Sequence, residues 1–167
     1  MMKISDNIRM ALLSIGLVAA ALLACGGKID QDKLDKLITK MFKNQLELEV
    51  DEIDCPKDIK AEEGKEFECD VTVKPKGTVP VVVEITDSKG SVEAKTKYDV
   101  LKPKSVQKEI VAGLAAKNIS ADVDCGKKVR LAKPDTNFKC KAKDKTGMTK
   151  DVTVSINDDG DVSWKLD

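Results

Sequence analysis

The sequence predicts an α+β fold of two tandem modules, each one helix packed on a roughly four-stranded antiparallel sheet and closed by one disulfide. Three observations lead there. Cys55 meets Cys125 at an offset of 70, and the segment from Phe67 through Cys69 to Val71 meets Phe138, Cys140 and Ala142 at 71. Val81, Val83 and Ile85 meet Val152, Val154 and Ile156 at that same offset, and Gly77 and Gly90 meet Gly147 and Gly160 at 70. Apolar and polar residues alternate along each of these stretches, the pattern of strands buried on one face. Self-similarity at a fixed period is read before any single element, because it sets the architecture.

The chain begins with a targeting segment. Lys3 and Arg9 form a positive region, and from Met10 to Ala24 every residue is apolar or small except Ser14. That run of about fifteen residues is short for a membrane span, which needs about twenty. It ends in Leu22, Leu23, Ala24 and Cys25, which resembles the bacterial lipobox. The resemblance implies a signal peptide over 1–24, cleavage before Cys25, acyl chains such as palmitate on that cysteine, and a lipidated tether over 25–29. An uncleaved anchor, or a plain signal peptide with a chance cysteine, is the alternative. The expected location is the bacterial cell envelope, membrane-anchored by lipid. Because no aspartate follows Cys25, that means the outer membrane in a host with two membranes.

The first module is expected over 30–98. Leu34, Leu37, Ile38, Met41 and Phe42 fall at i, i+3, i+4, i+7 and i+8, one apolar helical stripe. Asp30, Asp32 and Asp35 sit near its start and Lys40 and Lys43 near its end, as the helix dipole favours, with Asn44 as the stop. Strands follow around the two cysteines, along Val79 to Ile85, and along Val92 to Tyr98. Asp87 to Gly90 and Asn157 to Gly160 are expected hairpin turns. Asp99 to Lys104, with Pro103, reads as the linker. The second module, 105–167, then opens with a helix capped by Ser105, carrying Val106, Ile110 and Leu114 and stopping at Asn118. Phe42, Phe67, Tyr98, Phe138 and Trp164 occupy in-facing positions and are expected in the cores.

Four cysteines besides Cys25 form an even set in a chain expected to be exported, the signature of a disulfide framework. Of the three possible connectivities, Cys55 to Cys69 and Cys125 to Cys140 are expected. Each bridge closes about fifteen residues and contributes about 3 kcal/mol on the chain-entropy model, which a core of this size needs.

A short helix, then Ile53, Asp54, Cys55 and Pro56, the Gly64 to Phe67 stretch, Cys69, and a Val-x-Ile-x-Asp-x-x-Gly hairpin together resemble the bacterial family catalogued as domain of unknown function 4333. The resemblance covers 30–98 and, less cleanly, 105–167, where Gly126 replaces the proline and no glycine precedes Phe138. It implies a small secreted or lipid-anchored protein, and the family name confers no activity. The layout is also similar to that of beta-lactamase inhibitory protein, without a shared motif.

Chemistry is sparse. The chain has no histidine, so the commonest general base and metal ligand are missing, and neither Gly-x-Ser-x-Gly nor Cys-x-x-Cys occurs. No enzyme activity, cofactor or metal is expected. Asn157 to Asp161 is acidic, but an EF-hand would need a glutamate at its twelfth position, and a tight turn fits better. A formal charge of zero and five aromatic residues argue against nucleic acid. That zero divides, however: residues 28–99 hold 13 basic and 18 acidic side chains, and residues 102–167 hold 14 and 10. Glu66, Glu68 and Asp70 alternate with the apolar face of one cysteine strand, while Lys139, Lys141 and Lys143 alternate on its counterpart. These are the candidate interaction surfaces. They read as solvated faces that guard against aggregation, as complementary faces that meet each other, or, with Lys127, Lys128, Arg130 and Lys133, as a basic surface for anionic lipid or cell-wall polymer. The expected function is a lipoprotein displaying two non-catalytic binding or structural modules, with an envelope protein or an anionic polymer as partner. The alternative is an inhibitor of a secreted hydrolase, acting through a loop such as Pro56 to Lys65.

Overall fold

The computed structural model describes residues 27–167, so the expected signal peptide and Cys25 lie outside the described residues. The first helix, α1, spans Gln31–Met41; the Asp30 carboxylate accepts from the Lys33 N–H at 3.2 Å and caps it. Leu34 and Ile38 are buried with the following Phe42, whereas Leu37, expected in the same stripe, lies at the surface. Asn44 does not stop the helix. A π turn over Phe42–Leu46 carries the chain on to Glu47, which takes the left-handed conformation with φ 54°. Leu46 and Leu48 thereby reach the core that α1 covers.

Four antiparallel strands form the first sheet in sequence order: β1 (Val50–Asp54), β2 (Glu66–Val73), β3 (Thr78–Ile85) and β4 (Val92–Thr96). Cys69, Val71, Val73, Val79, Val81, Val83 and Ile85 face inward and are almost completely enclosed. The turn joining β3 to β4 is built by Asp87, whose carboxylate accepts from the Lys89 and Ser91 N–H groups at 2.8 and 2.9 Å. Asn157 does the same for Asp159 and Asp161, so the acidic string at the end of the chain is a hairpin turn.

The second module repeats this plan: β5 (Val100–Leu101), α2 (Pro103–Ala115), β6 (Ala121–Asp124), β7 (Arg130–Leu131), β8 (Asn137–Asp144), β9 (Thr149–Ile156) and β10 (Val162–Leu166). Its main sheet runs β10-β9-β8-β6. Ser105 does not cap α2; Lys102 holds the cap position and Pro103 the first helical one, where its fixed φ suits the helix and its missing N–H costs nothing. Asn118 takes φ 60° just beyond the helix, as a stop should. Of the aromatic residues expected in the cores, Phe42 is fully buried, while Phe67, Tyr98, Phe138 and Trp164 are half-buried. The edge of the Trp164 ring abuts α2 at Gly113, where a β-carbon would collide with it, and the Lys117 ammonium stands 5.1 Å from the ring centroid.

The repeat also includes residues expected to be tether and linker. The Ala61 N–H donates to Gly27 O at 2.7 Å and the Ile29 N–H to Ile59 O at 2.9 Å. In the second module the Ala132 N–H donates to Asp99 O at 2.8 Å, and β5 pairs with β7. Each module thus opens with a short extended segment paired to the segment between its own cysteines. In the second module that arrangement also docks on the first. The Val129 N–H donates to Lys76 O at 2.8 Å, Val129 is buried in the first core with Val100 and Leu131 packed beside it, and Lys102 Nζ pairs with Glu47 at 2.9 Å.

Two outcomes follow from this packing. Gly113→Ala should lower stability by about 1–3 kcal/mol in urea denaturation, the range for overpacking, and Trp164→Leu in the same background should recover part of the loss. The backbone N–H of Ser91, with its hydroxyl, holds the Asp87 carboxyl below its ordinary value, and the Thr146 hydroxyl and nearby backbone N–H groups do the same for Asp144. A depressed carboxyl stabilises above its unfolded pKa and loses that contribution as pH falls through its folded value. The melting temperature should therefore hold through neutral pH and decline below about pH 4, with a shallower decline in Asp87→Asn and Asp144→Asn proteins.

Candidate interaction surfaces

The disulfides position both surfaces. Cys55, just after β1, is bonded to Cys69 on β2 with Cα atoms 4.3 Å apart; Cys125, just after β6, is bonded to Cys140 on β8 at 4.2 Å. These are the expected pairs, each tying an edge strand to its neighbour. Because Cys69 and Cys140 point into the cores, the residues flanking them on the same strands point to solvent.

On the outer face of the first sheet, register places like charges side by side. Glu66 stands opposite Glu84, Glu84 opposite Glu93, and Asp54 opposite Asp70. Directly opposed like charges destabilise a sheet. Relief is local: Lys97 Nζ pairs with Glu68 at 2.6 Å, which raises the lysine pKa, and Lys95 Nζ lies 3.9 Å from Glu66. With Glu52, this face carries seven carboxylates against Lys95 on β4 and Lys97 just beyond it.

The lysine stripe behaves differently. Lys139 Nζ lies 3.0 Å from Asp151 and 3.7 Å from Asp167, and Lys141 Nζ lies 3.8 Å from Asp151. Asp151 raises the Lys139 pKa and is itself held low by that lysine. Lys143 stands opposite Asp122, and Lys141 opposite Asp124. The stripe is thus embedded in a face of mixed charge. Among the described residues no ion pair joins Glu66, Glu68 or Asp70 to Lys139, Lys141 or Lys143; the pair that crosses between modules is Lys102 with Glu47. The positive surplus of the second half lies instead around the start of α2 and between its cysteines. There Lys127, Lys128 and Lys133 are exposed, but Arg130 is a strut: its guanidinium stacks 4.3 Å from the Phe138 ring centroid and donates to Cys125 O and Lys128 O.

Glu84 and Glu93 were not among the residues expected from sequence to form a surface. The signal was present, since a turn at Asp87 to Gly90 sets residue 84 opposite 93. A cleft of about 670 Å³ between the modules, lined in part by Glu47, Lys74, Lys102, Asp124 and Lys127, had no sequence signal because it exists only once the modules dock. Ser105 and Lys108 have Ser-x-x-Lys spacing on α2, and both are exposed on its surface. In the Pro56 to Lys65 loop Ile59 and Ala61 are buried, and the other eight residues are exposed. No helix among the described residues is long and apolar enough to cross a membrane.

Glu84→Lys should raise the thermal midpoint by about 2 °C at low salt, because it replaces two like-charge neighbours with two opposite ones. The gain should shrink in high salt, as screening already relieves the parent protein. An unchanged or lower midpoint would show that the carboxylate row carries no strain.

No curated protein and no solved structure matches the chain significantly. The sequence profile described as Domain of unknown function (DUF4333) matches twice, over residues 13–90 and 91–161, one match for each half with its helix, antiparallel sheet and disulfide. The chain therefore belongs to the DUF4333 family and carries two copies of its domain in tandem.

Proposed function

We propose that the protein is a cell-envelope lipoprotein, anchored by acyl chains on Cys25, that displays two non-catalytic modules and offers the acidic sheet face of the first to a partner protein with a basic surface. The observation that carries the binding role is the row Glu66, Glu84 and Glu93, like charges held opposite one another across three strands. A sheet selected for stability alone would alternate the signs, as the second sheet does around Asp151. The lipobox-like Leu22 to Cys25 supports the anchor, and the absence of histidine supports a role without catalysis.

Mass spectrometry of the mature protein should find acyl chains on Cys25, and Cys25→Ala should move the protein to the soluble fraction. That soluble form should retain a basic envelope protein on affinity capture, with retention weakening as salt rises. A triple variant, Glu66→Gln with Glu84→Gln and Glu93→Gln, should lose it. Equal retention by parent and variant would remove the acidic face from the proposal. Stoichiometric inhibition of a retained hydrolase would put the inhibitor reading in place of this one.

A further inference from the structure

The fold starts very close to the proposed anchor. Gly27 O accepts from the Ala61 N–H, Lys28 bridges to Lys60, and Ile29 is 6% exposed with its N–H donating to Ile59 O. From Cys25 to Gly27 is two residues, which even fully extended reach about 7 Å. If acyl chains on Cys25 enter a bilayer, this end of the first module is held at the headgroups.

The surface there consists of the segment between Cys55 and Gly64 and the Asp87 to Gly90 turn; a β-carbon on Gly90 would lie 3.6 Å from Ile29 Cδ1. Two of its four acidic groups are neutralised by lysines: Asp58 pairs with Lys28 at 2.6 Å and Glu62 with Lys65 at 3.5 Å, leaving Glu63 and Asp87, the latter hydrogen-bonded within its own turn. Lys57, Lys60 and Lys89 are exposed and make no ion pair among the described residues. The opposite end of the β2–β3 hairpin, at Lys76, is where Val129 docks, and an eight-residue strand puts about 25 Å between the two ends.

We infer that the end of the first module bearing Lys57, Lys60 and Lys89 rests on the anionic lipid surface, with the second module held on the side away from it. This rests on the anchor proposed above. The argument is the length of chain between anchor and fold, together with charge complementarity.

The test is amine acetylation followed by peptide mass spectrometry, on acylated full-length protein bound to phosphatidylcholine–phosphatidylglycerol vesicles and on the soluble Cys25→Ser protein. Lys57, Lys60 and Lys89 should react several-fold more slowly on vesicles, while Lys145 and Lys150, in the hairpin at the far end of the second module, should react equally in both. Inserting a flexible Gly-Ser segment of about ten residues between Gly26 and Gly27 should restore the reactivity of the three lysines without releasing the protein from vesicles. Unchanged lysine reactivity on acylated protein that floats with the vesicles would overturn the orientation and leave the anchor standing. Absence of acyl chains from Cys25 would remove both.

Discussion

The Cys125–Cys140 bridge closes a segment whose middle residues, Val129 to Ala132, both dock on the first module and pair with the opening stretch of the second. Val129 gives its N–H to the turn after β2 and its side chain to the first core, while Arg130 and Leu131 pair with β5. Such an irregular segment would have little to hold it in place without the bridge, because it buries few side chains of its own. Arg130 assists by spanning back to Cys125 O and stacking on Phe138, beside the bridge itself. The equivalent segment in the first module, closed by Cys55–Cys69, receives residues 27–29 in the same way. Each disulfide therefore stabilises its own unit and also fixes the platform on which the preceding stretch of chain is laid.

The two units have diverged in ways that follow from their places in the array. Val73 and Val79 are enclosed at the end of the first core, where the second module docks. Their register equivalents, on strands paired in the same way, are Asp144 and Lys150, which close the second core with polar groups facing solvent. Charge has diverged as well. The first sheet concentrates carboxylates in opposed rows, whereas the second pairs its lysines with Asp151, Asp167, Asp122 and Asp124. The opposite net charges of the halves do not produce two complementary sheet faces. They produce one acidic face and a scatter of lysines around the junction.

Cysteine spacing, valine alternation and turn residues were legible in the sequence because each is local: a strand needs period two, a hairpin needs Asp or Asn followed by glycine, and an even set of cysteines in duplicated positions closes on itself. The helix stripe was legible for the same reason, down to the buried Leu34, Ile38 and Phe42. Its end was not, because the π turn at Phe42–Leu46 answers to where Leu48 must go in the core rather than to any preference of Asn44. The start of α2 was misassigned to Ser105 because a hydroxyl is a good cap, yet the paired β5 delivers the chain to Pro103 first.

By itself, then, the sequence determined the duplication, the bridges, the α+β class and the face of each strand that turns inward, since these depend on periodicity and covalent chemistry within short stretches. Tertiary structure alone decided where Gly27 to Ile29 and Asp99 to Leu101 belong. A two- or three-residue extended segment has no periodicity of its own and is defined only by the partner it pairs with. The same holds for the charged surfaces. Whether a lysine or glutamate is neutralised depends on what stands across the sheet from it, a relation between strands distant in the chain, and it left the carboxylates around Glu84 crowded while giving Lys139 its aspartates.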